Sequence, residues 1–216
     1  MMMIAYHFCF DLNYFGLIHQ DFNHEPFWLA SRAIIVSLFL ILVGISLVLA
    51  SSLDERHFRK RQIRLFIAST AVTIGSYLMF PESYIFFGIL HFIFVASLIG
   101  RLFLKYPEIS LVSGIAALAA GLLYANPFFD RPYMEWMGFM THKPYTEDYV
   151  PVFPWLGVVL VGLFLGNLLF KKWKPAWLHS DSAAMRLPAL LGRHSLAIYL
   201  IHQPVLIGLL YLLWGK

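Results

Sequence analysis

The chain has 216 residues, of which 60% are hydrophobic and 13% charged, with a formal net charge of +4 and a mean hydropathy of +0.71. A soluble domain of this size carries roughly a quarter charged residues, so the composition excludes an ordinary soluble fold. The single cysteine excludes an internal disulfide and a cysteine-based metal site, and the small excess of cations, gathered in loops, reports membrane orientation and no nucleic-acid partner.

Apolar runs of about 18 or more residues recur along the chain without the alternation of transmembrane strands. They predict an all-α polytopic membrane protein, about seven transmembrane helices in one bundle, with 1–216 as a single integral-membrane domain. The expected helices are 1–18, 27–50, 65–80, 84–104, 109–125, 151–170 and 190–214.

The first helix carries His7 and Asp11 at i, i+4, on one face. A carboxylate beside an imidazole sets its tautomer and favours its protonated form, as a general base requires. Eighteen residues that include Asp11 and Asn13 barely span a core needing about 20 apolar ones. With three opening methionines and no flanking charge, this suggests a clipped start. The absence of a basic region and small-residue cleavage site argues against a cleaved signal peptide.

His24, at the outer interface just before the second helix, and Trp28 and Arg32 within it follow at i, i+4, i+8 and share a face. Arg32 lies about 8 Å inside this helix, counted at 1.5 Å per residue. Asp11 lies at similar depth in the first helix, so an Asp11–Arg32 ion pair is expected, since pairing offsets the burial of both charges. The linker that follows holds Arg56, Arg59, Lys60, Arg61 and Arg64. His91 sits in the fourth helix, in the same outer layer as Asp11 and Arg32. Arg101 and Lys105 occupy the turn after it, and Lys171, Lys172, Lys174 and Arg186 the connection after the sixth helix. Basic charge in alternate loops puts the N-terminus in the cytoplasm and the C-terminus outside.

The longest outer loop, 126–150, is rich in aromatics, among them Phe128, Tyr133, Trp136 and Tyr145. An interfacial aromatic belt is the plainer reading, a stacking platform for sugars the sharper one. Gly162 and Gly166 form a GxxxG pattern, and Ser113, Ala117 and Gly121 a small-residue ridge. Both permit close helix packing, including that of a homodimer. The last helix begins at Arg193 and His194 on the inner boundary and carries Ser195 and the deeper His202, with Pro204 as a candidate break.

Ionisable groups in hydrocarbon face cavities, pair, or carry chemistry. His7, Asp11, Arg32, His91 and His202 are the five such groups here. With Arg193, His194 and His24 they form a broken polar track suited to moving a group or a proton. Metal binding is the weaker reading, since the histidines lack ligand spacing and no carboxylate cluster accompanies them.

Three stretches carry a family resemblance. "MMMIAYHFCFDLNYFG" resembles the end of the first helix in membrane acyltransferases. "FGILHFIFVASLI" and "VPVFPWLGVVLVGLFLG" resemble the middle segments of the heparan-α-glucosaminide N-acetyltransferase-like family. "LGRHSLAIYLIHQPVL" is similar to its last helix and to acyltransferase-3 relatives. The resemblance implies a membrane acyltransferase in a bacterial inner (plasma) membrane. It would move acetyl from cytoplasmic acetyl-CoA to an amine or hydroxyl of a sugar or glycan on the far side.

The catalytic imidazole of that family matches either His7 or His24, with His19 as an outsider. Asp11 would orient it, and Arg32 or His91 would stabilise the developing oxyanion. A covalent acetyl-histidine relay would use the same residues. Arg193, His194, His91 and His202 make up the expected donor-binding set, with Arg193 and His194 beside the basic inner loops that attract coenzyme A phosphates. An Arg-Gly motif that relatives carry upstream of the matched histidine stretch is missing. So are the extra helices and external domain of larger members, which makes heparan itself an unexpected acceptor. The rivals are a small-solute or proton-coupled transporter, which predicts inverted repeats and broken helices, and a non-catalytic membrane scaffold.

Overall fold

The computed structural model describes residues 2–52, 54–173, 190, 192 and 194–214. Within them the chain is all-helical: α1 Met2–Tyr14, α2 Pro26–Ala50, α3 Glu55–Met79, α4 Ile89–Phe103, α5 Pro107–Leu123, α6 Val152–Asn167 and α7 Ser195–Trp214. A π-helical turn, Leu168–Trp173, extends α6, and two short 3-10 turns, Pro127–Asp130 and Glu135–Met137, sit in the long loop.

Three segments are long and apolar enough to cross a bilayer: Pro26–Ala50, Val152–Trp173 and Ser195–Trp214. The chain is an integral membrane protein. The apolar α4 and α5 have 15 and 17 residues, so each rises only about 22–26 Å. α3 is 25 residues long, but its first turns hold Arg56, Arg59, Lys60, Arg61 and Arg64. It begins about ten residues earlier than its apolar run because Glu, Arg, Lys and Gln are good helix formers.

α1 ends at Tyr14, short of the expected 18, for a local reason. Gly16 takes φ +70°, Leu17 N–H donates to Leu12 O at 2.9 Å and Gly16 N–H to Asn13 O at 3.0 Å. This left-handed closure satisfies the last carbonyls and is cheap only for glycine.

The described residues divide into two compact units, one from 1–36 and 175–216, the other from 37–174. In the first, α1 packs against α7. Phe22, 3% exposed, stacks on Trp28 with centroids 4.2 Å apart and meets Tyr6 and Phe10 edge-on.

The second unit is built on close approaches of small residues. A Cβ on Gly44 would strike the Val159 carbonyl, and one on Gly162 would strike the backbone of Ile41. The GxxxG pattern of α6 is thus occupied by α2 of the same chain. The α5 ridge is likewise spent on α6, where Gly121 abuts the Phe153–Pro154 backbone and Ser110 Oγ donates to Leu160 O at 2.8 Å. Glu55 and Arg101 join α3 to α4 through two hydrogen bonds.

At the opposite end the long loop is stapled down. Asp148 Oδ2 accepts from Ile89 N–H at 2.8 Å at the start of α4, Ser83 Oγ donates to Glu147 at 2.6 Å, and Val150 N–H donates to Phe87 O at 3.3 Å. Phe139 stacks inward on Phe153 at 4.6 Å, while Tyr133 and Tyr145 are 63% and 81% exposed.

Candidate active site

The i, i+4 face of α1 is set against α7, and each of its two polar residues meets a consecutive residue there. His7 Nδ1 lies 3.2 Å from His202 Nε2, and Gln203 Nε2–H donates to Asp11 Oδ1 at 2.7 Å. Asp11 is only 3% exposed.

Two carbonyls settle the tautomers, because a carbonyl only accepts. His202 Nδ1 lies 2.6 Å from Tyr199 O, so this nitrogen carries a proton and Nε2 of the neutral ring is an acceptor. His7 Nδ1 lies 3.1 Å from Met3 O and carries a proton too, shared with His202 Nε2. The His7 Nε2 lone pair is therefore left over, without a hydrogen-bond partner among the described residues.

Asp11 Oδ2 and Gln203 Oε1 are buried and have no hydrogen-bond partner among the described residues. The site thus presents three unfilled acceptors: an imidazole nitrogen, a carboxylate oxygen and an amide oxygen. Such a set suits a ligand that brings hydrogens, an amine or a hydroxyl.

The expected Asp11–Arg32 ion pair is not formed. The α1 face bearing Asp11 turns to α7, and Gln203, not Arg32, donates to the carboxylate, at Oδ1. Arg32 is half-buried on α2.

His24 sits in the loop between α1 and α2, its side chain 84% exposed. Its Nδ1–H donates to Asp21 Oδ2 at 2.8 Å, while Asp21 Oδ1 accepts from the amides of Asn23 and His24, each at 3.0 Å. The His24 bond, then the amides, hold the Asp21 carboxyl below its ordinary range. Asp21 escaped the sequence reading although D-x-x-H at i, i+3 marks it. It lines an open cleft of about 660 Å³ with Asn13, Tyr14, His19, Gln20 and Glu25.

His91 belongs to the second unit, and both its ring nitrogens are engaged. Nδ1 accepts from Gly88 N–H at 3.3 Å, and Nε2 is 3.0 Å from Thr73 Oγ1, which donates to Ile85 O at 2.8 Å. This network closes the start of α4. His194 is exposed just before α7, its N–H donating to Leu190 O at 3.3 Å. Arg193, Lys174 and Arg186 lie outside the described residues. Among the described residues no group of three or more His, Cys, Asp or Glu could hold a metal.

Fold and site together define a helical integral-membrane protein in which a half-buried imidazole pair lies beside a buried carboxylate on α1 and α7. The family described as heparan-alpha-glucosaminide N-acetyltransferase, catalytic, matches residues 1–204. The chain belongs to that family. No curated protein and no solved structure matches it.

Proposed function

We propose that the chain is a membrane acetyltransferase that transfers acetyl from cytoplasmic acetyl-CoA to an amino or hydroxyl group of a sugar on the extracytoplasmic side. Membership of an N-acetyltransferase catalytic family supports the reaction class, and the apolar spans support the membrane setting. In this reading 1–216 is one acetyltransferase domain, a bundle of about seven membrane helices. The basic residues 56–64, 101, 105 and 171–172 face the cytoplasm, which places the end of α1 and the 660 Å³ cleft outside.

The observation that carries the mechanism is the unpartnered Nε2 of His7. It takes the proton from the acceptor nitrogen or oxygen as that atom attacks, the work of a general base. His7 Nδ1–H, held by Met3 O and His202 Nε2, keeps the lone pair on the far side of the ring. Asp11, anchored by Gln203, and the free Gln203 oxygen accept the hydrogens that the acceptor keeps. The donor supplies the acetyl thioester, whose C–S bond breaks as the new C–N or C–O bond forms. Asp21, Glu25 and the aromatic ring of Tyr14 in the cleft suit a polar, hydroxylated acceptor on its way to His7.

His24, fully wetted and clasped by Asp21, is assigned to this approach path rather than to proton removal. An imidazole in water gains little from the exclusion of water that strengthens a buried base. The transporter rival looked to a break at Pro204, but α7 runs unbroken from Ser195 to Trp214 across it. Acetyl transfer by full-length protein in vesicles, with radiolabelled acetyl-CoA on the cytoplasmic face and amino sugars or polyols on the other, tests the proposal. Labelled product is expected. Acetyl-CoA that neither binds nor reacts overturns it.

A further inference from the structure

The second unit hides polar groups that the site above does not use. Gln62 of α3 is 7% exposed and Ser97 of α4 is 0% exposed. Among the described residues neither amide atom of Gln62, nor Ser97 Oγ, has a hydrogen-bond partner. A primary amide can make four hydrogen bonds, and leaving one buried and empty is costly. Leucine at position 62 would extend the apolar pattern of α3 without that cost.

The two residues are level with each other. Arg101 sits over the Phe58 ring at 4.4 Å, and Phe66 meets Phe94 at 5.8 Å. Gln62 is midway between Phe58 and Phe66, and Ser97 is midway between Phe94 and Arg101. Beside them Arg61 Nη2–H donates to Ser46 Oγ of α2 at 3.2 Å. Arg56, Arg59, Lys60 and Arg64 stand exposed around the same turns. Among the described residues none of these four has an ion-pair partner within 4.0 Å. Arg59 precedes Gln62 by three residues, about 4.5 Å along the axis.

Exposed Arg56, Arg59 and Lys60 precede the buried amide on α3 and Arg64 flanks it, so the cations and the buried amide and hydroxyl match a ligand with a particular layout. It is anionic at one end and continues into a chain that both donates and accepts hydrogen bonds. We infer that Gln62 and Ser97 seat the amide-bearing pantetheine arm of the acyl donor, while Arg56, Arg59, Lys60 and Arg64 hold its phosphates. The inference rests on the acetyl-CoA reading above and adds to it Gln62 and Ser97, which the sequence did not single out. Arg61, tied to Ser46, positions these cations against α2.

The test is equilibrium binding by calorimetry to the full chain in detergent micelles, with coenzyme A and with 3′,5′-ADP, which has the phosphates and lacks the arm. Loss of a buried hydrogen bond predicts that Q62L and S97A weaken coenzyme A roughly ten-fold while leaving 3′,5′-ADP unchanged. R59Q/K60Q weakens both probes. Q62L also keeps or raises the Tm, because an unpartnered amide has been replaced by an apolar chain. Unchanged coenzyme A affinity in Q62L and S97A, as for a pair that holds only water, overturns the inference. So does an equal loss for both probes. If the unsubstituted chain binds neither probe, the acetyl-CoA reading itself falls.

Discussion

His7 and Asp11 differ from an ordinary i, i+4 pair in what they meet. Each is bound from α7, by His202 and Gln203, and each keeps an acceptor atom open. Truncating Gln203 should act through Asp11: Q203L is expected to lower acetyl transfer roughly ten-fold with the fold intact, as the carboxylate loses its one donor. Steady-state rates with circular dichroism check this. Full activity in Q203L would show that Asp11 needs no anchor. R32A, in contrast, should leave Asp11 undisturbed, because no bridge joins the two; an R32A loss that D11R/R32D restores would revive the pair.

The clasp between Asp21 and His24 gives a pH dependence of known sign. The folded Asp21 carboxyl is depressed, so the stability it lends the loop is present above its ordinary value of 3.8 and is lost as pH falls through the lower folded value. Amide exchange at Asn23 and His24 should stay protected down to that range in the native chain and be unprotected throughout in D21N.

Among elements, the α2–α6 contact depends most sharply on single residues. Gly44 and Gly162 face backbone of the opposite helix, so a side chain there must push the helices apart. G162L is expected to lower stability by about 1–3 kcal/mol, the range for overpacking, read as a fall in Tm with coenzyme A absent.

Apolar runs made the existence of all seven helices legible, because bilayer-facing and buried residues are both apolar. α3 was legible only in its apolar half, since its basic turns are helical by propensity and face water. The i, i+4 relation of His7 and Asp11 was legible from helix periodicity alone. Their partners were not, because the choice of α7 over α2 as neighbour depends on packing that no local pattern encodes. Asp21 was missed for the opposite reason: its signal is local, but loop carboxylates are common. Gln62 was missed because a polar residue in the mixed α3 looks like surface until the helix is packed, and Ser97 because a lone serine in the apolar α4 carries no charge to mark it.

At the scale of the whole molecule, basic residues gather where α2 meets α3, α4 meets α5 and α6 ends. In the proposed orientation that end faces the cytoplasm with the donor, and the α1–α2 loop faces outside with the acceptor. Single-cysteine labelling on a C9A background checks this. Cysteine at position 23 should react with a membrane-impermeant maleimide in intact cells, and cysteine at position 57 only after permeabilisation.

Base assignment is the central claim, and one comparison tests it most directly: acetyl transfer in vesicles by H7A and H24A at matched protein levels. H7A is expected to lose about 10²–10⁴-fold, the scale of general-base catalysis, with H24A staying within roughly ten-fold of the unsubstituted chain, as for a group that guides the acceptor. Full transfer by H7A, or collapse confined to H24A, would contradict it.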